Sequence, residues 1–296
     1  MPKRLTWLMT AVTAVAPAFG SSVAGVNSDM QTAASTGFTL VGDTISNTGG
    51  PPIVSQITGS VGTPSSGGGI TGFGPGTATG TVAAGTATAT AAYNDFLTTY
   101  TAAMGLASTA TPTSPGMSAN QTFLGNNVYV MNTNVSTMTL TQLTFNAQGN
   151  SNAVFIIEIP DNFTVNGNLR FNLINGAQAD NIFWVVGQAA TISVGSAASV
   201  GTYGHIDFDG NILAGTSFTM SAATAGSGVL AGTINGCIFS DTGTNTLAGS
   251  TNVLGCAAFS GNGLPETGSV PEPGTMGLFA GSLVGLGFLF CRRFHN

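Results

Sequence analysis

Charged residues are nearly absent from this chain. Only 5% of its 296 residues are Asp, Glu, Lys or Arg, against roughly a quarter in an ordinary soluble domain. Between Arg4 and Arg292 the only basic residue is Arg170. A protein that grips a phosphate backbone must neutralise several phosphates with Lys or Arg, so nucleic acid is excluded as a partner. For the same reason the body of the protein matches an anionic membrane surface poorly.

Histidine and cysteine are equally scarce, with two and three residues respectively. His205, Asp207 and Asp209 alternate along one predicted strand, so their side chains can share a face, as metal ligands would. No other His or Cys is placed to complete the coordination, and a solvated strand face is the favoured interpretation of this weak metal candidate. No metal and no other cofactor is expected.

Hydrophobic residues nevertheless make up 43% of the chain, and many lie in short runs. Three runs rich in Ile, Val and Phe between Asn152 and Gly187 predict strands: VFIIEI at 154–159, LRFNLI at 169–174 and NIFWVV at 181–186. The Asn, Gly and Asp residues between them take tight turns without strain. No helical segment lies close by in the sequence to cover these strands, so we expect them to stack on one another as walls of a coil.

One segment, from about Thr86 to Met104, has the pattern of a long helix. Gly105 follows it as a stop signal. The apolar residues that recur at helical spacing are Ala89, Tyr93, Phe96, Tyr100 and Met104. Because the segment is rich in Thr, its intrinsic helix propensity is weak, and we expect packing along a side of the strand stack to hold it. The aromatic stripe is predicted to be core rather than a cofactor site.

The region from Gly25 to Ala84 is rich in Gly, Thr and Pro. FTLVGDTI at 38–45 predicts one strand, and the residues after it predict an irregular capping loop. A disordered linker is the alternative that the Gly/Ser run leaves open. The capping loop is favoured because it has apolar side chains to bury, namely Ile53, Ile57, Ile70 and Phe73.

A short word recurs in the C-terminal half at a fixed step of seventeen residues. LAGT, LAGT and LAGS begin at Leu213, Leu230 and Leu247. A fixed step predicts a solenoid, in which Thr216, Thr233 and Ser250 would stack as one column at a spacing of about 4.8 Å. Ser199 would extend the column by one step. The alternative is that like residues stack in any solenoid, because Thr simply suits a strand.

Several motifs together resemble the ice-binding-protein-like family, also called the DUF3494 or type 1 ice-binding adhesin family. The motifs, in the family's order, are ITGFGPGTATGTV (70–82), AAYNDF (91–96), LTFNAQGNSNAVFIIEI (143–159), LINGAQADNIFWVVG (173–187) and GNILAGTSFTM (210–220). The similarity covers roughly residues 35–254. It implies a mainly β fold, a right-handed discontinuous β-solenoid of triangular section, with one long α-helix packed alongside and a capping loop over one end.

The resemblance also implies a ligand, because members of this family bind ice through a flat solenoid face of Thr, Ser, Asn and small residues. On that basis Ser199, Thr216, Thr233 and Ser250 are the candidate ice face. Rigid hydroxyls and methyls can hold ordered water without a large loss of their own freedom. The family motif Thr-Ala/Gly-x-Thr/Asn occurs clearly only at Thr242–Asn245. The alternative function is a structural or adhesive envelope protein whose flat face binds glycan or nothing specific.

An enzyme is the third alternative, since some β-solenoids cleave carbohydrate. Its catalytic groups would have to come from isolated carboxylates near predicted turns, namely Glu158, Asp161 and Asp180. These residues suit capping or Asx-turn roles better than an acid–base pair. We therefore predict no catalysis and assign no catalytic residue.

Both ends of the chain resemble sorting signals. Residues 1–24 have the basic start, apolar stretch and small residues of a signal peptide, with cleavage after Ala18 or Ala24. A linker is predicted at 255–269. Residues 270–296 resemble the PEP-CTERM sorting signal, also described as an ice-binding protein C-terminal domain.

Within this signal, the apolar segment 274–290 is about long enough to span a bilayer as a helix, and the basic pair after it would stay in the cytoplasm. Pro271, Glu272 and Pro273 match the motif that an exosortase-type enzyme recognises. The resemblance implies a Gram-negative envelope, with the protein membrane-anchored or released to the cell surface or exopolysaccharide. LPETG at 264–268 matches a Gram-positive sortase pattern instead; VPEP is favoured because it directly abuts the apolar segment.

Cys237 and Cys256 would meet an oxidising compartment after export. A bridge closing about twenty residues would contribute roughly 3 kcal/mol. The step of seventeen, however, puts Cys237 over Leu254, and the resulting diagonal of about 8 Å exceeds disulfide reach. The sequence leaves both outcomes open.

Overall fold

Parallel β-strands dominate the structure, a computed structural model that describes residues 37–48, 54–67, 69–74, 76–137, 141–166, 169–193, 206–221, 230–248 and 250–256. The N-terminal strands are β1 (Phe38–Val41), β2 (Thr44–Asn47), β3 (Gln56–Ile57), β4 (Ser60–Thr63), β5 (Ile70–Thr71), β6 (Thr77–Ala78) and β7 (Val82–Ala84). The single α-helix of the described residues, α1 (Ala87–Met104), follows them.

Sixteen further strands follow the helix. They are β8 (Gln121–Leu124), β9 (Asn127–Val130), β10 (Val135–Thr137), β11 (Thr141–Asn146), β12 (Phe155–Ile159), β13 (Phe163–Asn166), β14 (Leu169–Ile174), β15 (Ile182–Val186), β16 (Ala190–Ser193), β17 (Ile206–Asp209), β18 (Asn211–Ala214), β19 (Phe218–Ser221), β20 (Leu230–Asn235), β21 (Ile238–Ser240), β22 (Thr244–Leu247) and β23 (Ser250–Val253). A 3-10 turn, Ala179–Asn181, precedes β15.

The strands form four sheets. Sheet A has the order β7-β4-β1-β21-β18-β15-β12-β9, and sheet B has the order β10-β13-β16-β19-β22-β2-β5. Sheet C is β17-β20-β23-β3-β6 and sheet D is β14-β11-β8. From β8 onward the chain runs through sheet D or C, then sheet A, then sheet B, and begins again. Any three successive strands of this path, one in sheet D or C, one in sheet A and one in sheet B, are called a circuit below.

The first described strands pair with the last described strands. Strands β1, β2 and β3 pair in parallel with β21, β22 and β23, the last described circuit. Residues that face each other between successive circuits are 26 to 28 apart over most of the molecule. The predicted step of seventeen is therefore not the circuit length. Its three Leu words fall on different sheets, at the end of β18, the start of β20 and the end of β22.

Two predictions for the N-terminal region are wrong. FTLVGDTI is not one strand, because Gly42 and Asp43 turn the chain from β1 in sheet A to β2 in sheet B. A Cβ at Gly42 would meet Asn245 Nδ2 at 2.5 Å and Ser240 Oγ at 2.7 Å, so a larger residue at this corner would force these side chains to move. The capping loop after it contains the short strands β3 to β7, which extend three sheets. Four residues or fewer per strand leave too little alternation to detect in the sequence.

The strands predicted between 152 and 187 are confirmed as β12, β14 and β15, and β12 and β15 are neighbours in sheet A. The short strand β13, between β12 and β14, was missed. The interior beside them is aromatic. Trp184 is wholly buried, and its ring centroid lies 5.2 Å from that of Phe163 and 5.5 Å from that of Phe208. Trp184 Nε1 donates to Asp209 O at 3.0 Å, which satisfies its one polar atom.

The predicted helix is confirmed as α1, which packs on sheet A. Thr86 caps its first turn by accepting a hydrogen bond from the Ala89 N–H, and Gly105 ends it. Phe96 is wholly buried and stacks on Phe239 of β21 with ring centroids 5.7 Å apart. The Tyr93 hydroxyl donates a hydrogen bond to the Asp241 carboxylate at 2.5 Å. These contacts compensate for the weak propensity of a Thr-rich helix.

No helix in the described residues is long and apolar enough to cross a bilayer. The predicted signal peptide, 1–24, and the predicted sorting signal, 270–296, with its membrane span 274–290, lie outside those residues.

Candidate functional site

The most regular surface of the molecule is the outward side of sheet B. Its strands alternate apolar and polar residues; in β19, for example, Phe218 and Met220 are buried while Thr219 and Ser221 are partly exposed. Because side chains alternate across a strand, one set fills the interior and the other faces outward. The same alternation of buried and partly exposed positions holds in β2, β16 and β22, although one buried position in β2 and one in β22 is an Asn, Asn47 and Asn245.

Strand register brings the outward hydroxyls into line. One row of paired residues crosses all seven strands of sheet B, and we call it the hydroxyl column: Ser136, Thr164, Thr191, Thr219, Thr246, Ser46 and Thr71. Every member is Ser or Thr. Neighbouring strands in a sheet lie about 4.8 Å apart, so the column is an evenly spaced array of hydroxyl and methyl groups.

Further small polar residues flank the hydroxyl column. On one side Thr44 of β2 faces Thr244 of β22, which belongs to the family motif noted in the sequence. On the other side Ser193 and Ser221 face each other with their Oγ atoms 2.9 Å apart. The face is therefore more than one residue wide where β2, β16, β19 and β22 cross it.

The outward face of sheet B carries no charged residue on any of its strands. Within the described part of the chain, the hydroxyls of Thr164, Thr191, Thr219 and Thr246 make no hydrogen bond to protein, which leaves them to bind water. A parallel backbone ladder holds them, so their positions are set before any ligand arrives.

The residues predicted as a column from the step of seventeen are not brought together. Thr233 lies on sheet C, opposite Asp207 and Asn252. Thr216 lies at the corner between β18 and β19, where its N–H donates to Gln188 O at 3.0 Å. The step was wrong because a full circuit is longer and varies in length.

Ser250, the third described member of the predicted column, starts β23 and faces Leu230. Ser199, the fourth, lies outside the described residues. Ice contact by any of these four residues stays a prediction.

A different signal in the sequence marks sheet B. Four-residue segments of the kind FTVN, ATIS and FTMS recur 27 or 28 residues apart, each with an outward Thr between two buried apolar residues. A search for apolar-Thr-apolar words at that longer step would have found three members of the hydroxyl column, Thr164, Thr191 and Thr219. The step of seventeen reflected only the Gly-, Ala- and Thr-rich composition.

The weak metal candidate lies on sheet C. Asp207 is exposed and Asp209 half-buried on β17, while His205 lies outside the described residues. Burial raises the pKa of Asp209, the hydrogen bond from Asn235 Nδ2 at 3.1 Å lowers it, and the neighbouring Asp207 charge raises it. Among the residues described, no three His, Cys, Asp or Glu side chains cluster as metal ligands would.

The three isolated carboxylates lie on different elements. Glu158 of β12 faces outward beneath α1, is buried, and has its pKa raised by that burial. Asp161 lies at the corner after β12, where it accepts a hydrogen bond from Asn162 Nδ2 at 3.0 Å. Asp180 lies in the 3-10 turn, and its carbonyl accepts from Asn211 Nδ2 at 2.7 Å. Asp161 and Asp180 thus occupy turns, as predicted.

Cys237 and Cys256 form a disulfide with their Cα atoms 5.1 Å apart. The predicted diagonal was too long because it assumed the step of seventeen. Cys237 directly precedes β21 and Cys256 follows β23, so the bond joins the two ends of one circuit. Pro271, Glu272 and Pro273 lie outside the described residues.

Comparison with known proteins identifies the family and the fold to which this chain is similar. A sequence model of the family described as Ice-binding-like matches residues 39–253, and one described as the PEP-CTERM protein-sorting motif matches 269–293. A protein from a Nostoc strain, named an ice-binding protein, is 29% identical over 261 residues, covering 87% of this chain and 84% of its own.

Two solved structures share the fold. An ice-binding protein from the Antarctic ascomycete Antarctomyces psychrotrophicus is 25% identical with a TM-score of 0.58, covering 77% of this chain and 97% of its own. A glycosylated ice-binding protein from an Arctic yeast is 24% identical with a TM-score of 0.59, covering 80% and 94%.

Proposed function

The chain belongs to the Ice-binding-like family, and we propose that it binds ice through the outward face of sheet B. The observation that carries this proposal is the hydroxyl column, seven Ser or Thr residues in register across seven parallel strands. Its named relatives are ice-binding proteins, which supports the same ligand.

The mechanism is recognition by a rigid surface. Within the described residues, the unbonded hydroxyls of Thr164, Thr191, Thr219 and Thr246 offer water donors and acceptors at a fixed spacing, and the Thr methyls fill the space between them without competing for hydrogen bonds. Ordering water on such a face costs little because the protein groups are already ordered. A charge would impose a strong, differently oriented hydration shell, and sheet B has none. We propose no catalysis and no cofactor.

The circuits support a more specific fold, a discontinuous β-solenoid with three walls, with α1 along sheet A and the N-terminal strands capping one end. We infer that the solenoid is right-handed, because connections between parallel strands of one sheet are right-handed in nearly all proteins. The matched sorting motif supports export by a signal peptide at 1–24, a linker at 255–269, and processing by an exosortase-type enzyme after membrane insertion of 274–290, in a Gram-negative envelope.

One pair of variants tests the ice face. Thr191→Tyr places a bulky ring at the centre of the hydroxyl column, and Thr233→Tyr places the same ring on sheet C. We expect Thr191→Tyr to lose most of its ice recrystallisation inhibition and thermal hysteresis, and Thr233→Tyr to keep both. Equal loss in the two variants would reject sheet B as the face. An inactive wild type would reject ice binding altogether.

The sorting motif favours one other function, a structural or adhesive envelope protein that binds glycan. Binding of the purified protein to an array of exopolysaccharide fragments, together with no effect on ice growth, would select this alternative. Unchanged ice activity in the presence of those fragments would favour ice as the ligand.

A further inference from the structure

The hydroxyl column crosses the boundary where strands β1 to β3 pair with strands β21 to β23, which we call the seam. Thr246 of β22 and Ser46 of β2 are paired in the column although they lie 200 residues apart in sequence. Beyond the seam, Thr44, Ser46 and Thr71 come from the N-terminal unit, which we define as residues 38–84 with strands β1 to β7. This part of the face exists only when that unit is docked.

The N-terminal unit docks on one circuit, residues 237–256, which we call the closing circuit. Each of its strands takes one partner from the unit: β21 pairs with β1, β22 with β2 and β23 with β3. Buried side chains reinforce the seam. Asn245 Nδ2 donates to Val41 O at 2.9 Å, and the Thr251 N–H donates to Ser55 Oγ at 3.1 Å.

The Cys237–Cys256 disulfide ties the closing circuit at its ends, beneath the N-terminal unit. Cys237 is wholly buried, with Sγ 3.8 Å from Phe38 O, and the Cys256 N–H donates to this sulfur. Gly255 lies so close that a Cβ there would meet Thr58 O at 2.7 Å and Thr39 Oγ1 at 2.9 Å. The bond therefore fixes the position of Gly255 and Cys256, against which Thr39 of β1 and Thr58 of the β3–β4 turn pack.

We propose that this disulfide is a redox clasp that completes the ice-binding face after export, an inference that rests on the proposed function. With the bond formed, the closing circuit is fixed and the N-terminal unit adds its hydroxyls to the column. With the bond reduced, the circuit's ends separate, the seam loosens, and the face shrinks to the strands from β10 to β22. Thiols are kept reduced in the cytosol and oxidised beyond it, so the face would be completed where ice is met.

The chemistry is thiol–disulfide exchange with a disulfide-bearing oxidant. One cysteine thiolate attacks the oxidant's disulfide to form a mixed disulfide and release one thiolate, and the second cysteine then displaces the other. Cys237 and Cys256 together lose two protons and two electrons, and the oxidant leaves as two thiols. Oxidised glutathione supplies this oxidant in vitro.

The test uses the exported full chain carrying Cys291→Ser, which leaves Cys237 and Cys256 as its only cysteines. Three forms are compared: oxidised, reduced and alkylated, and reduced then reoxidised with oxidised glutathione. Ice recrystallisation inhibition reports the face. Amide hydrogen exchange reports the seam, comparing β1–β3 with β12 and β15, which lie several strands away in sheet A.

We expect reduction to weaken inhibition several-fold and to speed exchange in β1–β3 and β21–β23, with β12 and β15 unchanged and reoxidation restoring both readouts. Full activity in the reduced form would overturn the clasp. Faster exchange throughout the molecule would overturn it too, because the bond would then support general stability. If the oxidised form is inactive, the proposed function fails, and the exchange pattern separately decides whether the disulfide holds the seam.

Discussion

Sheet B, on one side, and sheets C and D, on another, have the same backbone arrangement but different surfaces. Both are parallel ladders in which each circuit adds one strand. On sheet B the central row contains only Ser and Thr. On sheet C the equivalent row changes type at nearly every strand: Asp207, Thr233, Asn252, Gln56 and Thr77. We call the outward side of sheets C and D the mixed face.

This difference teaches that a regular backbone is not sufficient for a regular surface. The mixed face has the charges of Arg170, Asp207 and Asp209, and its side chains bond to one another, as Asn235 does to Asp209 and Asn172 does to Thr144. Side chains that satisfy each other have less to offer a ligand. On sheet B the hydroxyls of Thr164, Thr191, Thr219 and Thr246 make no hydrogen bond to the described protein residues, and their uniform type makes them a repeating array.

The largest effect should come from removing the interior that supports both faces. Phe163 is wholly buried on β13, next to Thr164 of the hydroxyl column, and lies against Trp184 and Phe208. We expect Phe163→Ala to lower the free energy of unfolding by about 3–5 kcal/mol, since it opens a cavity among aromatic rings. Denaturant unfolding measures the loss.

Phe163→Leu is the matched control, and it should cost much less because it keeps most of the buried volume. Similar losses for Ala and Leu would mean that packing around Phe163 does not set the stability of this region.

A single charge should separate the two faces. We expect Thr219→Asp, within the hydroxyl column, to reduce ice recrystallisation inhibition several-fold, because a carboxylate reorients the water around it. Thr144→Asp puts the same charge on sheet D, opposite Thr122 and Asn172, and should leave inhibition unchanged. Both are surface changes, expected to alter stability by about 0.5 kcal/mol or less. Equal inhibition by the two variants would show that sheet B and the mixed face do not differ in their effect on ice.

A smaller effect concerns the corner between sheets A and B. The Tyr93 hydroxyl donates a hydrogen bond that is divided between the carboxylate and the backbone carbonyl of Asp241. This bond links α1 to the residue that follows β21. Tyr93→Phe removes this bond and should cost about 1–3 kcal/mol, as for hydrogen bonds to a charged group. Thermal unfolding measures this cost. Thr98→Ala, an exposed change on the same helix, is the control and should be near neutral.

The smallest effect on ice activity is expected from Glu158, which lies under α1 and on neither face. Burial raises its folded pKa above the unfolded value, so its contribution to stability is present below the unfolded pKa and is lost as pH rises through the folded pKa. Glu158→Gln lacks this loss. The variant should be more stable than wild type at neutral pH, with the difference shrinking as pH falls through the folded pKa and absent below the unfolded pKa of about 4.

Urea unfolding at several pH values measures this difference, and ice recrystallisation inhibition should not change at any of them. A stability difference between Glu158→Gln and wild type that is constant with pH would show that the carboxyl does not titrate differently in the folded protein.

The sequence was informative wherever a pattern is local. Helix α1 needed only an apolar stripe and a terminal Gly, and strands β12, β14 and β15 needed only long apolar runs between turns. Corners were harder to detect. Gly42–Asp43 looks like the middle of a strand until Asn245 and Ser240, about 200 residues later, are seen to occupy the space beside it.

The composition and local order of residues by themselves determined a mainly β, nearly uncharged chain with one packed helix and a family resemblance. Only the tertiary structure decided which residues share a face. Membership in a column depends on register between strands 26 to 28 residues apart and, at the seam, 200 apart. Circuit length varies because corners absorb extra residues, so no single step in the sequence can place Thr246 beside Ser46. Backbone pairing between β22 and β2 does so.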